Sequence, residues 1–405
     1  MSSTGRKRRR IAVVTGTRAD YGLLTSVMQA IAARRNLELQ LVVTGMHLVN
    51  RFGTTINQIK RDGWRVDARV PMQRGDDGPL DQAQGLSRGI AGISKYLESA
   101  RTDIVVVLGD RIEALAGALA AVTTRRILAH IHGGDVAAGD FDDSVRHAIT
   151  KLAHVHFPAS DAAAARIVRM GESPSRVFMV GAPGLDRLRE LITIHKHIEK
   201  HGNNALIVQH SIGRSAAAES AVMSRILQAA DNAGLCGTII APNSDRGHSG
   251  ISRAIADFMK SNDRTTSNAS GRWEVVISLP RDEYLRRLLH ADVLIGNSSS
   301  GMIETGVAGT AVINVGDRQR GRDHDAGQVI HCTESMAALQ TAIRRVRKIK
   351  IKRGAASAYG NQAAGPKIAD ALAAIPITDL LRRKTLEFTS ANRRVRSNGR
   401  AWRGR

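Results

Sequence analysis

Short apolar runs rich in β-branched residues alternate with longer amphipathic stretches along most of this 405-residue chain. This alternation restricts the fold most, because it is typical of parallel βαβ units in which helices cover both faces of a sheet. The strands predicted in the first half are 11–15, 37–44, 103–108, 126–131 and 177–180. The helices predicted between them include 21–33, 84–99, 111–122 and 145–153. The strands predicted in the second half are 205–209, 237–241, 274–279, 292–295 and 311–315.

The same plan in both halves predicts an α/β fold with two doubly wound, Rossmann-like domains. Residues 189–204, between the two halves, are polar and rich in His and Lys, as expected for a linker. The predicted division is a basic N-terminal tail at 1–10, a first domain at 11–188, the linker at 189–204, a second domain at 205–360, a helical segment at 361–380 and a basic C-terminal tail at 381–405.

The net charge of +22 is concentrated in three short segments of the chain. Residues 1–10, 382–405 and 344–353 carry five, eight and seven of these net positive charges, so the rest of the chain is nearly neutral. Aromatic residues for base stacking make up only 3% of the sequence. We therefore expect solvated termini with at most a weak, non-specific attraction to nucleic acid or other polyanions, rather than a nucleic-acid-binding protein.

The sequence shows no sign of a membrane span, a secretory signal or a disulfide framework. Apolar runs such as 104–108 are much shorter than the roughly 18 residues that cross a bilayer. The basic start is followed by an apolar run of only 11–14, too short for a signal peptide. The two cysteines, Cys236 and Cys332, cannot build a disulfide framework. We expect a cytoplasmic protein that does not engage a membrane.

Ligands of open parallel sheets bind beyond the carboxyl ends of the strands, so binding residues are expected in the loops there. The first strand is followed by TGTRAD at 15–20, where Gly16 permits a tight turn and Arg18 places a guanidinium near a helix N-terminus. An ordinary turn with Asp20 as the N-cap explains the same residues equally well.

A second polar loop, GNSSSG at 296–301, follows a predicted strand of the second half. Hydroxyls and backbone N–H groups at a helix start form an anion-binding nest, although one serine could simply cap the helix. Three hydroxyls flanked by glycines favour a ligand. Glu304 lies one turn further on, where its carboxylate suits hydroxyls, such as those of a ribose, better than phosphate.

Carboxylates at the ends of strands in the first half are candidates for proton transfer or for stabilising a developing cation. Asp110 ends a buried strand, and Asp142 and Asp143 open a predicted helix. In the alternative interpretation, Asp110 is a helix cap paired with Arg111, and Asp143 is a helix cap near Arg146. Successive residues cannot both face one pocket, so one aspartate of the pair should be structural.

Two histidines and a carboxylate lie close together at His130, His132 and Asp135. In a strand the two histidines would share a face, but no third ligand stands at a recognised spacing for a metal. The sequence therefore predicts no metal site.

Eight motifs resemble those of one family of enzymes. They are TGTRADYG at 15–22, GMHL at 45–48, FGTTI at 52–56, GDR at 109–111, HIHGGD at 130–135, DDSVRHAITKL at 142–152, GNSSSG at 296–301 and VGDRQ at 315–319. Together they resemble the hydrolysing UDP-N-acetylglucosamine 2-epimerases, which begin sialic-acid and related nonulosonic-acid biosynthesis. The resemblance extends from 11 to 375. The related non-hydrolysing epimerases have a proline after the arginine of the first loop, where this chain has Ala19.

The resemblance implies a glycosyltransferase B-like fold, with the nucleotide sugar in the cleft and a last helix, near 367–374, that returns to the first domain. The implied reaction eliminates UDP from C1 as the C2 proton is lost, giving a 2-acetamidoglucal. Water then adds and releases N-acetylmannosamine. The resemblance also implies a homo-oligomer, a dimer or tetramer, and no cofactor.

The resemblance also assigns roles to residues. Those implied to hold the diphosphate are Arg18, His210, Ser298, Ser299 and Arg318. Glu304 would bind the ribose, His47 would contribute to substrate binding, and Asp110 and Asp142 would be the catalytic carboxylates. Several family members have a third catalytic carboxylate, a glutamate, in the position of His132. This histidine, a residue type that can transfer protons near neutral pH, would take its place, or else Asp135 or another group would.

Two other functions share many of these motifs or this fold. A hydrolysing epimerase acting on a UDP-2,4-diacetamido-2,4,6-trideoxyhexose, on the way to legionaminic-type acids, would carry the same UDP-binding motifs. A glycosyltransferase of the same fold would also bind a UDP-sugar, but it would transfer the sugar to an acceptor.

Overall fold

The computed structural model describes residues 8–50, 53–74, 79–136, 141–195, 198, 200–243, 245–263, 272–325, 327–385 and 387. Most of the two predicted tails, residues 1–7 and 388–405, lies outside this part of the chain, as do Phe52 of the FGTTI motif and linker residues 196, 197 and 199. Within the described ranges, no helix has both the length and the apolar character needed to cross a bilayer.

The strands of the described residues form two parallel sheets of six strands each. The first sheet contains β1 (Arg9–Thr15), β2 (Leu37–Thr44), β3 (Ala68–Val70), β4 (Ile104–Leu108), β5 (Ile127–Ile131) and β6 (Val155–Phe157). The second contains β7 (Asn204–Val208), β8 (Cys236–Ile240), β9 (Trp273–Val276), β10 (Val293–Gly296), β11 (Ala311–Val315) and β12 (Val329–Cys332). Every residue of β4 and β5 is buried, as expected for central strands with both faces covered.

Helices connect these strands and pack on both faces of each sheet. Those of the first domain are α1 (Arg18–Ala32), α2 (Ile56–Arg61), α3 (Pro79–Ser99), α4 (Ile112–Thr123), α5 (Asp142–Leu152), α6 (Asp161–Arg169) and α7 (Gly184–Ile194). The second domain has α8 (Ala216–Asn232), α9 (His248–Asp263), α10 (Arg281–His290), α11 (Ser300–Ile303), α12 (Thr305–Ala308) and α13 (Met336–Val346). Two more, α14 (Ala364–Ala374) and α15 (Asp379–Arg382), follow near the C-terminus.

The two sheets have the same strand order. The first runs β3-β2-β1-β4-β5-β6 and the second β12-β11-β10-β7-β8-β9. Each is therefore the doubly wound order 3-2-1-4-5-6, whose crevice lies where the order reverses, between β1 and β4 and between β7 and β10. The two predicted Rossmann-like domains are confirmed.

Helix α14 returns to the first domain, as predicted. Ile368 and Leu372 are fully buried in the same apolar cluster as β1 and α1. Gly365 packs so closely on α1 that an added Cβ would lie 2.6 Å from the carbonyl oxygen of Ser26. The carboxylate of Asp186 accepts hydrogen bonds of 2.8 Å from the backbone N–H groups of both Ala364 and Gly365 at the start of the helix.

The predicted strands differ from the structure mainly at the sheet edges. The bounds of β2 and β11 are as predicted, whereas the edge strands β3, β6 and β12 were not predicted. The prediction of a strand at 177–180 was wrong, since only Val177 makes a bridge, to His156.

Two boundaries also shift. Strand β1 begins at Arg9, inside the predicted N-terminal tail, and α7 runs on to Ile194, inside the predicted linker.

Candidate active site

The carboxyl ends of the two sheets face each other, and ion pairs cross between the domains there. Arg111, after β4, lies 3.4 Å from Asp245 of the second domain. Arg322, in the loop after β11, lies 3.1 Å from Asp135 of the first domain. The loops singled out in the sequence therefore line one cleft.

The loop after β1 is organised by a capping box at the start of α1. Thr17 is the N-cap and accepts from the backbone N–H of Asp20, whose carboxylate accepts from the N–H of Gly16 at 3.0 Å and of Thr17 at 3.1 Å. The alternative interpretation, in which Asp20 is the N-cap, is therefore wrong in its choice of residue. Arg18 is the first residue of the helix, and its buried Nε has no hydrogen-bond partner among the described residues. Burial, together with the nearby Arg61, lowers the pKa of Arg18.

His47 supports this loop from behind. It is completely buried, with Nε2 3.0 Å from the hydroxyl of Thr15 and Nδ1 2.6 Å from that of Thr55. Burial lowers the pKa of His47 to about 4, so the ring is neutral near pH 7. Both ring nitrogens lie within hydrogen-bond distance of protein hydroxyls, so His47 fixes the position of the loop that carries Arg18. Its contribution to substrate binding stays a prediction.

Asp110 forms an ion pair with Arg146 of α5. The guanidinium of Arg146 also donates to the carbonyl oxygen of His132 at 2.9 Å, and its Nε has no partner among the described residues. Burial and the neighbouring Arg322 lower the pKa of Arg146 well below its usual value. The alternative interpretation, a helix cap paired with Arg111, is wrong, because α4 begins after Arg111 and Asp110 pairs with α5.

Asp142 and Asp143 point in different directions, as expected for successive residues. The carboxylate of Asp142 lies 4.0 Å from Nη2 of Arg318, across the cleft. The carboxylate of Asp143 lies 3.6 Å from Nε2 of His147 on the same helix, and its side chain is 45% exposed. The N-cap position of α5 belongs to Phe141, so Asp143 does not cap the helix.

His130 and His132 do not share a strand face. β5 ends at Ile131, and His132 follows it with a φ of 60°, a conformation that is uncommon for a residue with a side chain. His130 is buried, with Nε2 2.8 Å from the carbonyl oxygen of Gly109, and burial lowers its pKa to about 3. Burial also lowers the pKa of His132 to about 4. No group of three metal-ligating side chains occurs among the described residues.

Asp135 is held at the domain boundary beside His132. Its Oδ1 accepts from the N–H of Val136 at 2.9 Å, while Arg322 donates to the carbonyl oxygen of Val136 at 3.1 Å. The charge of Asp135 raises the pKa of His132 and that of Arg322 lowers it, both less than burial does. Both candidates for the third proton-transfer group therefore lie within one electrostatic network.

The GNSSSG loop is attached to its neighbours through Asn297. The side chain of Asn297 exchanges two hydrogen bonds of 2.8 Å with the backbone of His210, after β7. The backbone carbonyl oxygen of Asn297 accepts from the side chains of Arg318 at 3.3 Å and Gln319 at 2.7 Å, both in the loop after β11. Ser299 occupies the N-cap position of α11, but its hydroxyl makes no capping bond. The hydroxyl of Ser298 does accept from the backbone N–H of Ser300, the first residue of α11, at 3.4 Å, so one serine supports the helix start. Through Asn297, the loops after β7, β10 and β11 form one unit.

Glu304 lies at the end of α11 within a network of polar side chains. It pairs with Arg281 and accepts from the hydroxyl of Ser300 at 2.5 Å, and Tyr284 donates to that same hydroxyl. A Cβ on Gly184 would lie 3.1 Å from Oε1 of Glu304, so the carboxylate also packs closely on the start of α7. This buried carboxylate has its charge balanced by Arg281.

The chain matches a family model over most of its length. The model for UDP-N-acetylglucosamine 2-epimerase matches residues 29–373. The chain belongs to this family.

Its relatives include a UDP-N,N'-diacetylbacillosamine 2-epimerase (hydrolyzing) from Legionella pneumophila, 33% identical over 91% of this chain and 97% of that protein. A UDP-N-acetylglucosamine 2-epimerase from Neisseria meningitidis is 32% identical over 80% of this chain and 83% of its own length. Among solved structures, the UDP-GlcNAc 2-epimerase of Methanocaldococcus jannaschii in complex with UDP-GlcNAc and UDP superposes with a TM-score of 0.68. It covers 90% of this chain and 99% of its own, at 16% identity, and so supports the fold.

Sequence reasoning missed one buried carboxylate in this epimerase-family cleft. Glu113 is 1% exposed and lies 3.3 Å from Arg111. A Cβ on Gly16 or Gly45 would come within 2.4 or 2.6 Å of its side chain, which explains why glycine stands at both positions. Burial alone would lower the pKa of Arg111, but Glu113 and Asp245 outweigh it and raise that pKa. The sequence did contain a signal for this carboxylate, because Glu113 is an acidic residue in the first turn of α4, the helix after β4.

Proposed function

We propose that this chain is a hydrolysing 2-epimerase of a UDP-linked 2-acetamido sugar. The observation that carries the proposal is the meeting of Asp142, from the first domain, and Arg318, from the second, at 4.0 Å across the cleft. A ligand with a diphosphate on the second domain would present its sugar to the carboxylates of the first. Elimination needs a cationic group and a base on the two sides of the substrate. Negative charge develops on the departing diphosphate while a base removes a proton from the sugar.

The diphosphate would bind where cationic and hydroxyl groups converge. Arg18 and Arg318 each have a buried Nε without a partner among the described residues, and burial lowers the pKa of both, which an anion would offset. Burial lowers the pKa of His210 to about 3, and its Nδ1 accepts from the N–H of Asn243 at 3.4 Å. The neutral ring therefore carries its proton on Nε2 and would donate it to phosphate. Ser298 and Ser299 would add hydroxyl donors, and Glu304 would accept from the ribose hydroxyls.

The chemistry would proceed in two stages. In the first, a carboxylate removes the C2 proton, and the electron pair of the C2–H bond forms the C1–C2 double bond of a 2-acetamidoglucal. UDP leaves C1 with the electron pair of the C1–O bond. In the second, water adds its hydroxyl to C1 and a proton is delivered to the opposite face of C2. We assign these proton transfers to Asp110 and Asp142, with His132 or Asp135 as the third participant.

Two sugars are candidates within this class. UDP-N-acetylglucosamine, which would give N-acetylmannosamine, is supported by the Neisseria relative. UDP-N,N'-diacetylbacillosamine, a 2,4-diacetamido-2,4,6-trideoxy sugar, is supported by the Legionella relative, which aligns with this chain over 97% of its own length. The proposed contacts to UDP serve either sugar, so the sugar is decided by experiment.

The test incubates the protein with each UDP-sugar separately in heavy water and identifies the products by NMR. We expect UDP and a free sugar with deuterium at C2 and inverted configuration there, with a higher kcat/KM for one of the two substrates. A released sugar that keeps its C2 proton and its configuration would contradict the proposal. Sugar transfer to an added acceptor with retention at C2 would favour the glycosyltransferase alternative.

A further inference from the structure

Described residues that follow α14 pack on the first domain. Leu381, in α15, belongs to the apolar cluster that contains β1 and α1. The backbone N–H of Glu387 donates to the carbonyl oxygen of Gly171 at 2.9 Å. The predicted C-terminal tail at 381–405 therefore begins too early, since its first residues are part of the domain.

Lys384 of this segment caps the C-terminal end of α5. Its ammonium donates to the carbonyl oxygens of Thr150 at 3.2 Å and Ala153 at 2.6 Å, and also to that of Lys151. The last carbonyls of a helix have no intrahelical partner and carry a partial negative charge. The ammonium of Lys384 gives these carbonyls three N–H donors, and its positive charge offsets their partial negative charge.

A buried carboxylate holds the ammonium in place. Glu172 is 2% exposed and lies 2.7 Å from Nζ of Lys384 and 3.1 Å from Nε2 of His156. Burial alone would raise the pKa of Glu172, but hydrogen bonds from His156, Lys151 and Lys384 lower it to about 2. The carboxylate is therefore charged near pH 7 and retains the cation.

The opposite end of α5 enters the cleft. The helix has 11 residues, so about 16 Å separates its two ends. Asp142 is its first residue, and Arg146, in the first turn and a half, pairs with Asp110. A shift of the helix along its axis would move both side chains relative to the second domain.

We propose that Lys384 is a positioning residue for the epimerase reaction, fixing the C-terminal turn of α5 and so the placement of Asp142 and Arg146. This inference rests on the proposed function, because it assigns Asp142 to proton transfer. Lys384 itself does not enter the cleft.

The first experiment compares Lys384→Met and Lys384→Arg with the unchanged chain. Lys384→Met should lower kcat about tenfold, because small displacements of catalytic groups are costly, with Kd for UDP within twofold. Lys384→Arg should recover much of kcat, since a guanidinium donates to the same carbonyls. The matched control is Lys95→Met at an exposed position of α3, which should leave both quantities unchanged. If Lys384→Met proves insoluble, Lys384→Gln replaces it, with a smaller loss of kcat expected.

Two truncated chains test the same residue without a substitution. A chain ending at Glu387 should keep full activity, whereas one ending at Arg383 should show the same loss of kcat as Lys384→Met. An unchanged kcat in both would overturn the proposal. A parallel loss of kcat and of UDP affinity would also overturn it, because it would indicate a general loss of structure.

Hydrogen exchange separates this inference from the proposed function. Backbone amides of α5 should exchange faster in Lys384→Met, whereas those of α4 should not change. If the unchanged protein turns over neither UDP-sugar, the proposed function fails, and with it the role of Lys384 in positioning Asp142 for that reaction. The exchange data would still show whether Lys384 holds α5, and unaltered exchange there would reject the cap itself.

Discussion

At the residue scale, the ion pair between Asp110 and Arg146 gives the sharpest mechanistic prediction. Asp110→Asn keeps the shape of the side chain but removes its charge and its capacity as a base. Turnover should fall about 100-fold or more, as expected when a positioned acid or base is lost. UDP should still bind with unchanged Kd, because the proposed phosphate contacts come from other loops. Rates of UDP release and calorimetric titration with UDP measure the two effects.

The matched control for this substitution is Asp143→Asn. Asp143 follows Asp142 directly in the sequence, but its carboxylate lies near His147 and is partly exposed to solvent. The turnover of Asp143→Asn should stay within twofold of that of the unchanged protein. If Asp110→Asn retains more than a tenth of the original rate, Asp110 has no part in proton transfer.

Sequence reasoning identified polar residues of the cleft more reliably than their partners. Asp110 and Arg146 were both noted in the sequence. They lie 36 positions apart in the chain, and their pairing depends on how β4 and α5 pack together. His47 was assigned to substrate binding by the resemblance, and the sequence did not show that its ring contacts the hydroxyls of Thr15 and Thr55. Burial and partners are properties of the folded chain, and no local pattern encodes them.

At the element scale, Asn297 joins loops that follow three strands of the second sheet. Asn297→Ala removes two partly buried hydrogen bonds to the backbone of His210, at a cost of about 1 to 3 kcal/mol of unfolding free energy. Kd for UDP should rise at least about tenfold, since the loop that carries Ser298 and Ser299 would no longer be held. Urea unfolding and calorimetric UDP binding measure the two losses.

The control for this substitution is Asn232→Ala, at an exposed position near the end of α8. It should change neither the urea midpoint nor the affinity for UDP. A stable Asn297→Ala protein with the original UDP affinity would show that the three loops hold their positions without this side chain.

The strands that sequence reasoning missed are the short ones at sheet edges. β3 and β6 have three residues each and β12 has four, too few to establish an alternating or wholly apolar pattern. The segment 177–180 shows the opposite error, since it has strand-like residues but Val177 alone pairs, with His156. The central strands were predicted because burial on both faces demands long apolar runs.

At the scale of the whole molecule, the alternation of elements was enough to predict two doubly wound domains. The charge distribution was less informative, because a basic residue near a terminus is not necessarily solvated. Arg9 lies in β1 and donates to the carbonyl oxygen of Leu372 on α14, and Lys384 is 15% exposed. Only the packed chain shows which of the terminal charges serve the structure.

The number of buried histidines predicts how the stability of the molecule depends on pH. Burial lowers the pKa to about 3 or 4 in a set of five: His47, His130, His132, His154 and His210. In the unfolded chain these side chains bind protons near pH 6.5, whereas in the folded chain they remain neutral until much lower pH. The unfolded state therefore binds more protons below pH 6.5, and stability falls as the pH drops from about 6.5 towards 4.

Each such histidine contributes a slope of up to about 1.4 kcal/mol per pH unit, and a typical domain has only about 5 to 15 kcal/mol in total. We expect the urea midpoint to fall steeply between pH 6.5 and pH 5. His154→Gln should reduce the slope by the share of one histidine, whereas His195→Gln, at an exposed position, should leave it as it was. Equal urea midpoints at pH 7 and pH 5 would mean that these rings accept protons without unfolding the chain.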